Sequence, residues 1–460
     1  MSKNAKILTT LLFVLAAGLI GGYFLIKNAD KVSLVSSSLN VVKTVIKLLP
    51  VAEDTKKEVE TIDALVSKFT QKDNVERRFL LLLQNNMELR PGGRFLGQYA
   101  VVKIKNGEVT NLVFEDANLL DQRITAKVPA PYPFEKMMSL KKWKFRDSNF
   151  SPDFPTNVEK AEYFYRLSGG NSNFDGVIAV NADTFSNAFE LTGPMTVGGV
   201  TLDKDNAVLK LEEIVEKKYI LNEDIDTQNR KAIMKTLASQ MMDKLTSLNN
   251  IPKLSSFVLN ELRNKDVMLN FTDADLQSKV AEVHWDGAVS TDWGGDYFMM
   301  VDANMGALKS DYYIDRSIEY NVDLTGEKPI AEVYLLYKHN ATYGDWRTSD
   351  YHSYLRVYAP QGSTLLEREM VSYPLLDEDF NKSYFGFTLH VLINRETKVH
   401  LKYELPESVR EGDYKLLIQK QSGVGDVPVK IHVKTKDGEF DKEDTLKKDL
   451  KFEIGETTEE

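Results

Sequence analysis

The 460-residue chain contains no cysteine, which excludes disulfide bonds, thiolate metal sites and cysteine nucleophiles. Histidine is also scarce, and its few copies form no HExxH or HxH pattern, so we expect no zinc site. Any catalytic group must therefore be a carboxylate, arginine, lysine, serine or tyrosine. The histidines are His284, His339, His352, His390, His400 and His432.

Positive charge is in deficit, because the formal net charge is −10 at pH 7. Nucleic-acid binding needs a basic surface, and we expect no local cluster of Lys and Arg interleaved with aromatic residues that would override this balance. A nucleic-acid partner is therefore not expected. Hydrophobic residues make up 42%, enough for real cores, and the length predicts two or three domains.

Only one long hydrophobic run is apparent, at residues 7–26 (ILTTLLFVLAAGLIGGYFLI), and it contains no charge. Twenty helical residues span about 30 Å, the thickness of the hydrocarbon core of a bilayer. We therefore predict a single-pass signal anchor in the plasma membrane, with residues 1–6 in the cytoplasm and the rest outside it. A cleaved signal peptide is the alternative, but its apolar region would be shorter, and the small residues at 16–18 lie in mid-run.

Residues 27–75 have helical periodicity with a break at Pro50, and we expect a helical stalk there. Residues 76–311 mix strands and helices, which indicates an α/β domain. FLLLLQNN (79–86) and FDGVIAV (174–180) are predicted as buried strands, and Asn106-Gly107 predicts a type I′ hairpin between two further strands. A long helix is expected from Thr227 to about Leu248.

From Tyr312 the composition changes to short β-rich runs at regular intervals. This pattern is typical of an antiparallel β-sandwich of about seven strands, placed at residues 312–436. Residues 437–460 mix lysines with acidic residues and contain few aromatics, so we expect a charged, solvated tail.

The segment QNNMELRPGGRFLG (84–97) is the strongest candidate for a binding site. Gly92 and Gly93 allow positive φ or a close approach of the backbone to a ligand, and flanking Arg90 and Arg94 suit a phosphate or carboxylate. A nest of backbone N–H groups would add to this anion site. The alternative is a structural turn whose arginines pair with Glu88 or Glu115.

Two further segments could contribute to such a site. Asp116 follows a predicted strand, where carboxylates could hold Mg²⁺ against a phosphate, although loop carboxylates are often merely solvated. Arg230 lies in the first turn of the predicted long helix, where the helix dipole attracts anions. Trp285 and Trp293 could stack on sugar rings, and the alternative is that they pack a joint between the two domains.

Several motifs occur in the same order as in a known family. QNNMELRPGGRFLGQYAVVKIKNGEV, SPDFPT, FDGVIAVNADTF, LTGP, GDYFMMVDANMGALKSDYY and YLRVYAPQGSTLL together resemble the bacterial domain-of-unknown-function family 4012. The resemblance runs from about residue 76 to 425. That family brings no established activity with it.

The core also resembles, more distantly, the LytR-CpsA-Psr domain of cell-envelope enzymes. This resemblance implies an anchored, three-layer α/β/α fold that binds prenyl-pyrophosphate-linked glycopolymers with Mg²⁺ and transfers them. It implies catalytic roles for Arg90 and Asp116, phosphate binding by Arg90 and Arg230, and Mg²⁺ binding by Asp116. The chain departs from the pattern where Gly92-Gly93 replaces an acidic residue and where Glu115 replaces an arginine. Arg94 could replace the missing positive charge.

Two functional hypotheses follow. The first is an extracytoplasmic cell-envelope protein that binds a prenyl-phosphate-linked glycopolymer, with or without transferring it. The second is a non-catalytic envelope scaffold or adhesion protein whose β-sandwich binds a partner protein or polysaccharide. The first hypothesis requires Arg90 and Arg230 to meet at one anion site.

Overall fold

The computed structural model describes residues 52–197, 199–212, 251–306, 308–410 and 413–454, together with the pairs 236–237, 240–241 and 244–245. The predicted anchor at residues 7–26 and Arg230 lie outside these ranges. No helix among the described residues is both long and apolar enough to cross a bilayer. The described chain has a mixed α/β fold with several sheets, as the sequence predicted.

The first part of the described chain forms a five-stranded sheet with helices. The five strands of the sheet are β1 (Glu76–Arg90), β2 (Gly93–Lys105), β3 (Glu108–Asp116), β4 (Gly176–Asn181) and β7 (Val267–Phe271). A separate two-stranded hairpin consists of β5 (Met195–Val197) and β6 (Val200–Leu202). The helices of this part are α1 (Glu53–Thr70), α2 (Ala117–Arg123), α3 (Phe134–Met138), α4 (Phe154–Leu167), α5 (Asp183–Asn187), α6 (Phe189–Thr192), α7 (Ala207–Glu212), α8 (Ile251–Arg263) and α9 (Ala274–Glu282).

The strands of this sheet lie in the order β3-β2-β1-β4-β7. Only the β1–β4 pair is parallel, and the other pairs are antiparallel. Asn106 and Gly107 have φ values of 54° and 79°, which confirms the predicted positive-φ hairpin between β2 and β3. The predicted buried strand at 79–86 lies within β1, and the one predicted at 174–180 overlaps β4.

Helices cover both faces of the sheet. Leu80 and Leu82 of β1 face a core that includes Phe154 and Phe164 of α4, whereas Leu81 and its alternate neighbours face a core that includes α1, α8 and α9. This alternation follows from the two-residue period of a strand. The stalk prediction is wrong for α1, because Leu65 and other apolar residues of this helix pack against the sheet.

The second part of the described chain is a sandwich of two six-stranded sheets. One sheet has the order β12-β15-β10-β9-β17-β18 and the other β13-β14-β11-β8-β16-β19. The strands are β8 (Asp296–Asn304), β9 (Ile314–Asp323), β10 (Ile330–His339), β11 (Tyr351–Pro360), β12 (Thr364–Glu369), β13 (Leu375–Asp379), β14 (Lys382–Val391), β15 (Glu396–Glu404), β16 (Lys415–Ile418), β17 (Val427–Lys434), β18 (Glu439–Leu446) and β19 (Leu450–Glu453).

The sandwich is larger than the sequence predicted. Strand β8 lies within residues 76–311, which were predicted as α/β domain, yet it is a central strand of the sandwich. All nine of its residues are buried, so it lacks the alternation that marks a half-exposed strand. The predicted solvated tail contains β18 and β19, whose mixed charges suit edge strands. The sandwich is not wholly antiparallel, because β16 pairs in parallel with β8 and β17 with β9.

The two parts are joined closely around the end of β1. Leu89, near the end of that strand, is buried in the core of the sandwich. The loop that follows β16, residues 419–425, returns from the sandwich and is called the joint loop below. Its Gln421 donates to the backbone carbonyl of Arg90 at 3.0 Å and to that of Asp302 at 2.8 Å. The joint therefore contains elements from both parts of the chain.

Candidate functional site

Arg90 lies inside the joint, with its side chain 1% exposed. Its Nη1 donates to the carbonyls of Leu89 (3.2 Å) and Asn304 (3.0 Å), and its Nη2 donates to Glu88 (2.7 Å). Nε and Nη2 both reach Oδ1 of Asp147, at 3.3 and 3.4 Å. Burial opposes the charged form, but attraction to Glu88 and Asp147 outweighs it and raises the pKa of Arg90.

These contacts use all five N–H groups of the guanidinium. The arginine ties β1 to the 3₁₀ turn at Phe145–Asp147 and to β8. The structure thus places Arg90 in a structural cluster, as in the alternative reading of its segment, and not at an open anion site. Its role as a phosphate-binding and catalytic residue has no geometric support here.

The two glycines that precede Arg94 are required by neighbouring protein groups. A Cβ atom on Gly92 would lie 2.0 Å from Nδ2 of Asn157 and 2.8 Å from a backbone carbonyl. Gly93 has φ +121°, and a Cβ atom there would lie 2.0 Å from Oε1 of Gln84. The backbone N–H of Gly92 donates to the carbonyl of Asn149 and that of Arg94 to Oε1 of Gln84, both at 3.0 Å, so protein groups already use the predicted nest. Gly92 and Gly93 therefore have a structural role in the turn.

Asp116 has a clear local role. Its side chain accepts hydrogen bonds from the backbone N–H of Asn118 at 2.8 Å and from Nδ2 of Asn118 at 2.9 Å, so it caps the N-terminus of α2. The residue is 3% exposed. Among the described residues there is no group of three or more His, Cys, Asp or Glu side chains that could hold a metal ion. The predicted Mg²⁺ site at Asp116 is therefore not supported by the geometry.

Arg94 differs from Arg90 because it lines a cleft. Its Nε lies 3.0 Å from Oδ2 of Asp183, and the two side chains are 11% and 32% exposed. Asp183 is the first residue of α5, just beyond the carboxyl end of β4. Ligands commonly bind at the carboxyl ends of strands in α/β sheets. We call this opening the joint cleft, and its volume is ≈ 470 Å³.

The joint cleft has one wall from each part of the chain. The α/β wall includes Arg94, Asp183, Asn187 and the β6–α7 turn, and the sandwich wall includes the 3₁₀ turn at Ser310–Tyr313 and the joint loop. Tyr312 is 39% exposed, and its hydroxyl donates to the carbonyl of Asp205 on the opposite wall at 3.4 Å. The full lining is Leu89, Arg94, Asp183, Ser186, Asn187, Lys204, Asp205, Val208, Asp311, Tyr312, Ile314, Arg316 and residues 423–425.

The charges in the cleft are balanced. Three cationic side chains and three carboxylates line it. Arg316 is held by Asp302 (2.8 Å) and Asp311 (3.1 Å), and Lys204 pairs with Glu190. The lining therefore offers many hydrogen-bond donors and acceptors without an excess of positive charge. Such a surface suits an uncharged polar ligand better than a pyrophosphate.

A buried polar layer lies behind the cleft. Glu261 of α8 accepts hydrogen bonds from Thr184 (2.6 Å) and Asn187 (2.9 Å), and Asp266 lies beside Asn181. Burial raises the pKa of both carboxyls, and the charge of Asp266 adds to the effect on Glu261. Perturbed carboxyls of this kind cluster at functional sites, although structural networks also contain them.

Both tryptophans considered for sugar stacking contribute to packing. Trp285 is 1% exposed and belongs to the core on the face of the five-stranded sheet that α1, α8 and α9 cover. Trp293 is half-buried against the sandwich, and its Nε1 donates to the carbonyl of Asp296 at 2.8 Å. Each tryptophan therefore packs within one part of the chain, Trp285 in the α/β part and Trp293 on the sandwich, and the predicted joint between the domains is not what they form.

Sequence reasoning missed several cleft residues. Asp183 lies two residues beyond the buried strand GVIAVN, and the rule that ligands gather at strand ends could have singled it out. Tyr312 and the joint loop had no such signal, because they reach the cleft only through the tertiary fold. Sequence reasoning also missed a basic loop at residues 127–144. This loop contradicts the expectation that the chain contains no cluster of lysines interleaved with aromatic residues.

Comparison with known proteins gives a family of unestablished role. Residues 74–215 match the family described as "Protein of unknown function (DUF4012)". The match covers less than a third of the 460 residues and includes β1 to β6, the glycine turn and the α/β wall of the cleft. The chain is thus similar to that family over this segment. No curated protein matches the chain.

Proposed function

We propose that the chain is a membrane-tethered, extracytoplasmic protein of the cell envelope that binds sugar residues of an envelope glycopolymer in the joint cleft and does not transfer them. The tether is the uncharged run at residues 7–26, which is long enough for a bilayer. The resemblance to the LytR-CpsA-Psr domain supports the location and the polymer class. The α/β part would then be a relative of that domain which retains binding alone.

The observation that carries the proposal is the make-up of the joint cleft. An exposed tyrosine ring stands beside balanced charges and the amide of Asn187. Sugars present apolar ring faces and many hydroxyl groups, so they need an aromatic surface together with both donors and acceptors. The balanced lining lacks the excess of positive charge that a prenyl pyrophosphate needs, so the sugar portion of a lipid-linked polymer is the better fit.

Binding without transfer is proposed because the residues suggested for catalysis are used by the fold. Arg90 has no N–H group left for a phosphate, and Asp116 caps a helix. A transferase of the suggested type would need both groups at the reacting phosphate.

Ligand binding tests the first half of the proposal. The full chain, purified in detergent, is screened against bacterial envelope oligosaccharides, and affinities are measured by calorimetry. Tyr312→Ala should weaken binding about tenfold, since an aromatic contact contributes about 1 kcal/mol. Tyr343→Ala is the matched control, because Tyr343 is 72% exposed and does not line the cleft. Equal affinities for both variants would exclude the cleft as the binding site.

The absence of transfer is tested by complementation of a deletion strain. Asp116→Asn removes the negative charge that a metal ion needs, yet asparagine caps helices as well as aspartate does. We expect full complementation by this variant. If Asp116→Asn is expressed at the normal level and fails to complement, the carboxylate is required for chemistry. That result would favour the transferase hypothesis over binding alone.

A second candidate function is a scaffold that binds a partner protein through the sandwich. Its support is a concentration of exposed apolar side chains in residues 366–376, the segment that crosses from β12 to β13. Tyr373 is 88% exposed there and Met370 64%. Under this hypothesis Tyr373→Ser abolishes complementation whereas Tyr312→Ala does not, and the joint-cleft proposal expects the opposite result. The apolar residues are Leu366, Met370, Tyr373, Leu375 and Leu376.

A further inference from the structure

Residues 127–144 form a basic loop in an acidic protein. The loop carries five lysines and one acidic residue, Glu135, whereas the whole chain has a net charge of −10. Four of the lysines are exposed and Lys144 is half-buried. An anionic surface therefore meets an attractive field here and a repulsive one over the acidic remainder of the chain. The lysines are Lys127, Lys136, Lys141, Lys142 and Lys144.

The loop has a defined conformation that presents these lysines together. Its two arms pair, since the backbone N–H of Trp143 donates to the carbonyl of Val128 at 2.8 Å and that of Ala130 to the carbonyl of Lys141 at 3.2 Å. Phe134, at the start of α3, is 2% exposed and packs on Phe150 with ring centroids 4.5 Å apart. The lysines thus project from a fixed base.

Aromatic and apolar side chains lie among the charges. Tyr132 is 46% exposed, and Nζ of Lys136 lies 5.8 Å from its ring centroid. On the adjacent α4, Lys160 lies 4.5 Å from the ring of Trp143 and 5.3 Å from that of Tyr163, which is 37% exposed. The half-buried side chains of residues 137 and 138, both methionine, add apolar surface. The surface is therefore cationic and amphipathic.

We propose that the basic loop docks on the anionic lipid head groups of the membrane in which the chain is tethered. Lysines near an anionic bilayer are attracted to its surface, and tyrosine and tryptophan side chains prefer the head-group region. A soluble polyanion would satisfy the lysines but would offer no apolar phase to Tyr132 and the methionines. The exposed Tyr132 and the half-buried methionines therefore favour a lipid surface over an anionic polymer.

This inference rests on the tether of the proposed function. Residues 27–51 separate the predicted anchor from the described chain and can span up to about 80 Å when extended, so the tether does not by itself decide which face meets the bilayer. The basic loop would supply that orientation.

The lack of cysteine makes a direct test simple. Ser139→Cys, at an exposed position in the loop, is labelled with an environment-sensitive fluorophore, and the full chain is reconstituted in nanodiscs. The lipid is phosphatidylcholine alone or its mixture with phosphatidylglycerol, each with a lipid-borne quencher. We expect a blue shift and quenching in the anionic bilayer and a much smaller change in the neutral one.

Charge-reversal variants supply the control. Lys141→Glu with Lys142→Glu should abolish the signal in the anionic bilayer, whereas Lys436→Glu with Lys448→Glu, at exposed positions of the sandwich, should leave it unchanged. Equal signals in both lipids, or a response to soluble dextran sulfate but not to the anionic bilayer, would overturn the proposal. In the latter case the occupant is an anionic polymer.

Failure of the tether is distinguishable from failure of the loop. If the chain does not insert into nanodiscs at all, the anchor is refuted, and the proposed function loses its location. The loop is then tested by flotation of the same labelled chain with vesicles of the two lipid mixtures. Co-flotation with the anionic vesicles alone, lost in the Lys141→Glu, Lys142→Glu variant, supports the docking surface, and no co-flotation with either refutes it.

Discussion

Replacement of Arg90 by methionine is the most informative single perturbation of this protein. Methionine roughly keeps the volume but removes the charge and all five donors. Glu88 and Asp147 then lose their buried cation, and the carbonyls of Leu89 and Asn304 lose a donor. Breaking a buried ion pair by removing one partner destabilises a protein by about 3–5 kcal/mol, because the remaining charge is left uncompensated.

This loss should be visible in thermal unfolding of the full chain in detergent, followed by tryptophan fluorescence. A change of 1 kcal/mol shifts Tm by roughly 2–4 °C in a domain of 150–250 residues, so we expect Arg90→Met to lower Tm by roughly 6–20 °C. Part of the loss should be recovered by adding Glu88→Gln and Asp147→Asn, since these changes remove the stranded charges.

The result that would refute the reasoning is a stable but inactive Arg90→Met variant. If its Tm stays within about 1 °C of the parent while oligosaccharide binding or complementation is lost, the arginine acts on a ligand and not on the fold. A stability loss with no recovery in the triple variant would instead show that the hydrogen bonds to the two carbonyls dominate over the charges.

Three further predictions concern neighbouring features. Gly92→Ala should destabilise the chain by about 1–3 kcal/mol because its Cβ would overlap Asn157 and a backbone carbonyl, whereas Gly97→Ala, with open space around its Cβ, should be neutral or slightly stabilising in chemical denaturation. Asp116→Ala should cost about 1 kcal/mol through loss of the helix cap and Asp116→Asn almost nothing, and an equal loss in both would mean that the carboxylate has another partner. Because the pKa of Glu261 is raised above its ordinary value of 4.5, the native state keeps a proton that the unfolded state releases. The free energy of unfolding should therefore fall as pH rises from about 5 to about 8, and Glu261→Gln should flatten this dependence, so an unchanged urea-midpoint profile would contradict the assignment.

Local patterns predicted much of the fold. The Asn106-Gly107 turn was found because both residues need positive φ, a requirement that the sequence itself displays. Strand β1 and strand β4 were found as apolar runs. By contrast, β8 shows no alternation of apolar and polar residues because both of its faces are covered. The sequence analysis therefore placed it in the α/β domain instead of the sandwich. Edge strands β18 and β19 look like a solvated tail because charged residues are common at sheet edges.

The site was less accessible to sequence reasoning, for a physical reason. Arg90 and Arg94 stand four residues apart around the same glycine pair and look equivalent, yet one is buried and the other lines the cleft. The difference between them arises from tertiary contacts. Arg90 donates hydrogen bonds to Asp147 and to the carbonyl of Asn304, which lie 57 and 214 residues further along the chain. Such partners leave no periodic trace in a single sequence. The basic loop, in contrast, was visible as a run of lysines and was overlooked because the total charge is negative.

The contact between Gly423 and the glycine turn has a consequence for biosynthesis. Gly423 has φ +79°, and a Cβ atom there would lie 2.7 Å from Arg94 and 2.9 Å from the backbone of Gly93. A nascent chain can pair β1 with β2 early, but the cleft stays half-built until a residue more than 300 positions later has emerged. A chain that stops between β7 and the joint loop would thus keep the five strands of its sheet and lack part of the sandwich wall of the cleft, so ligand binding reports that synthesis has passed residue 425.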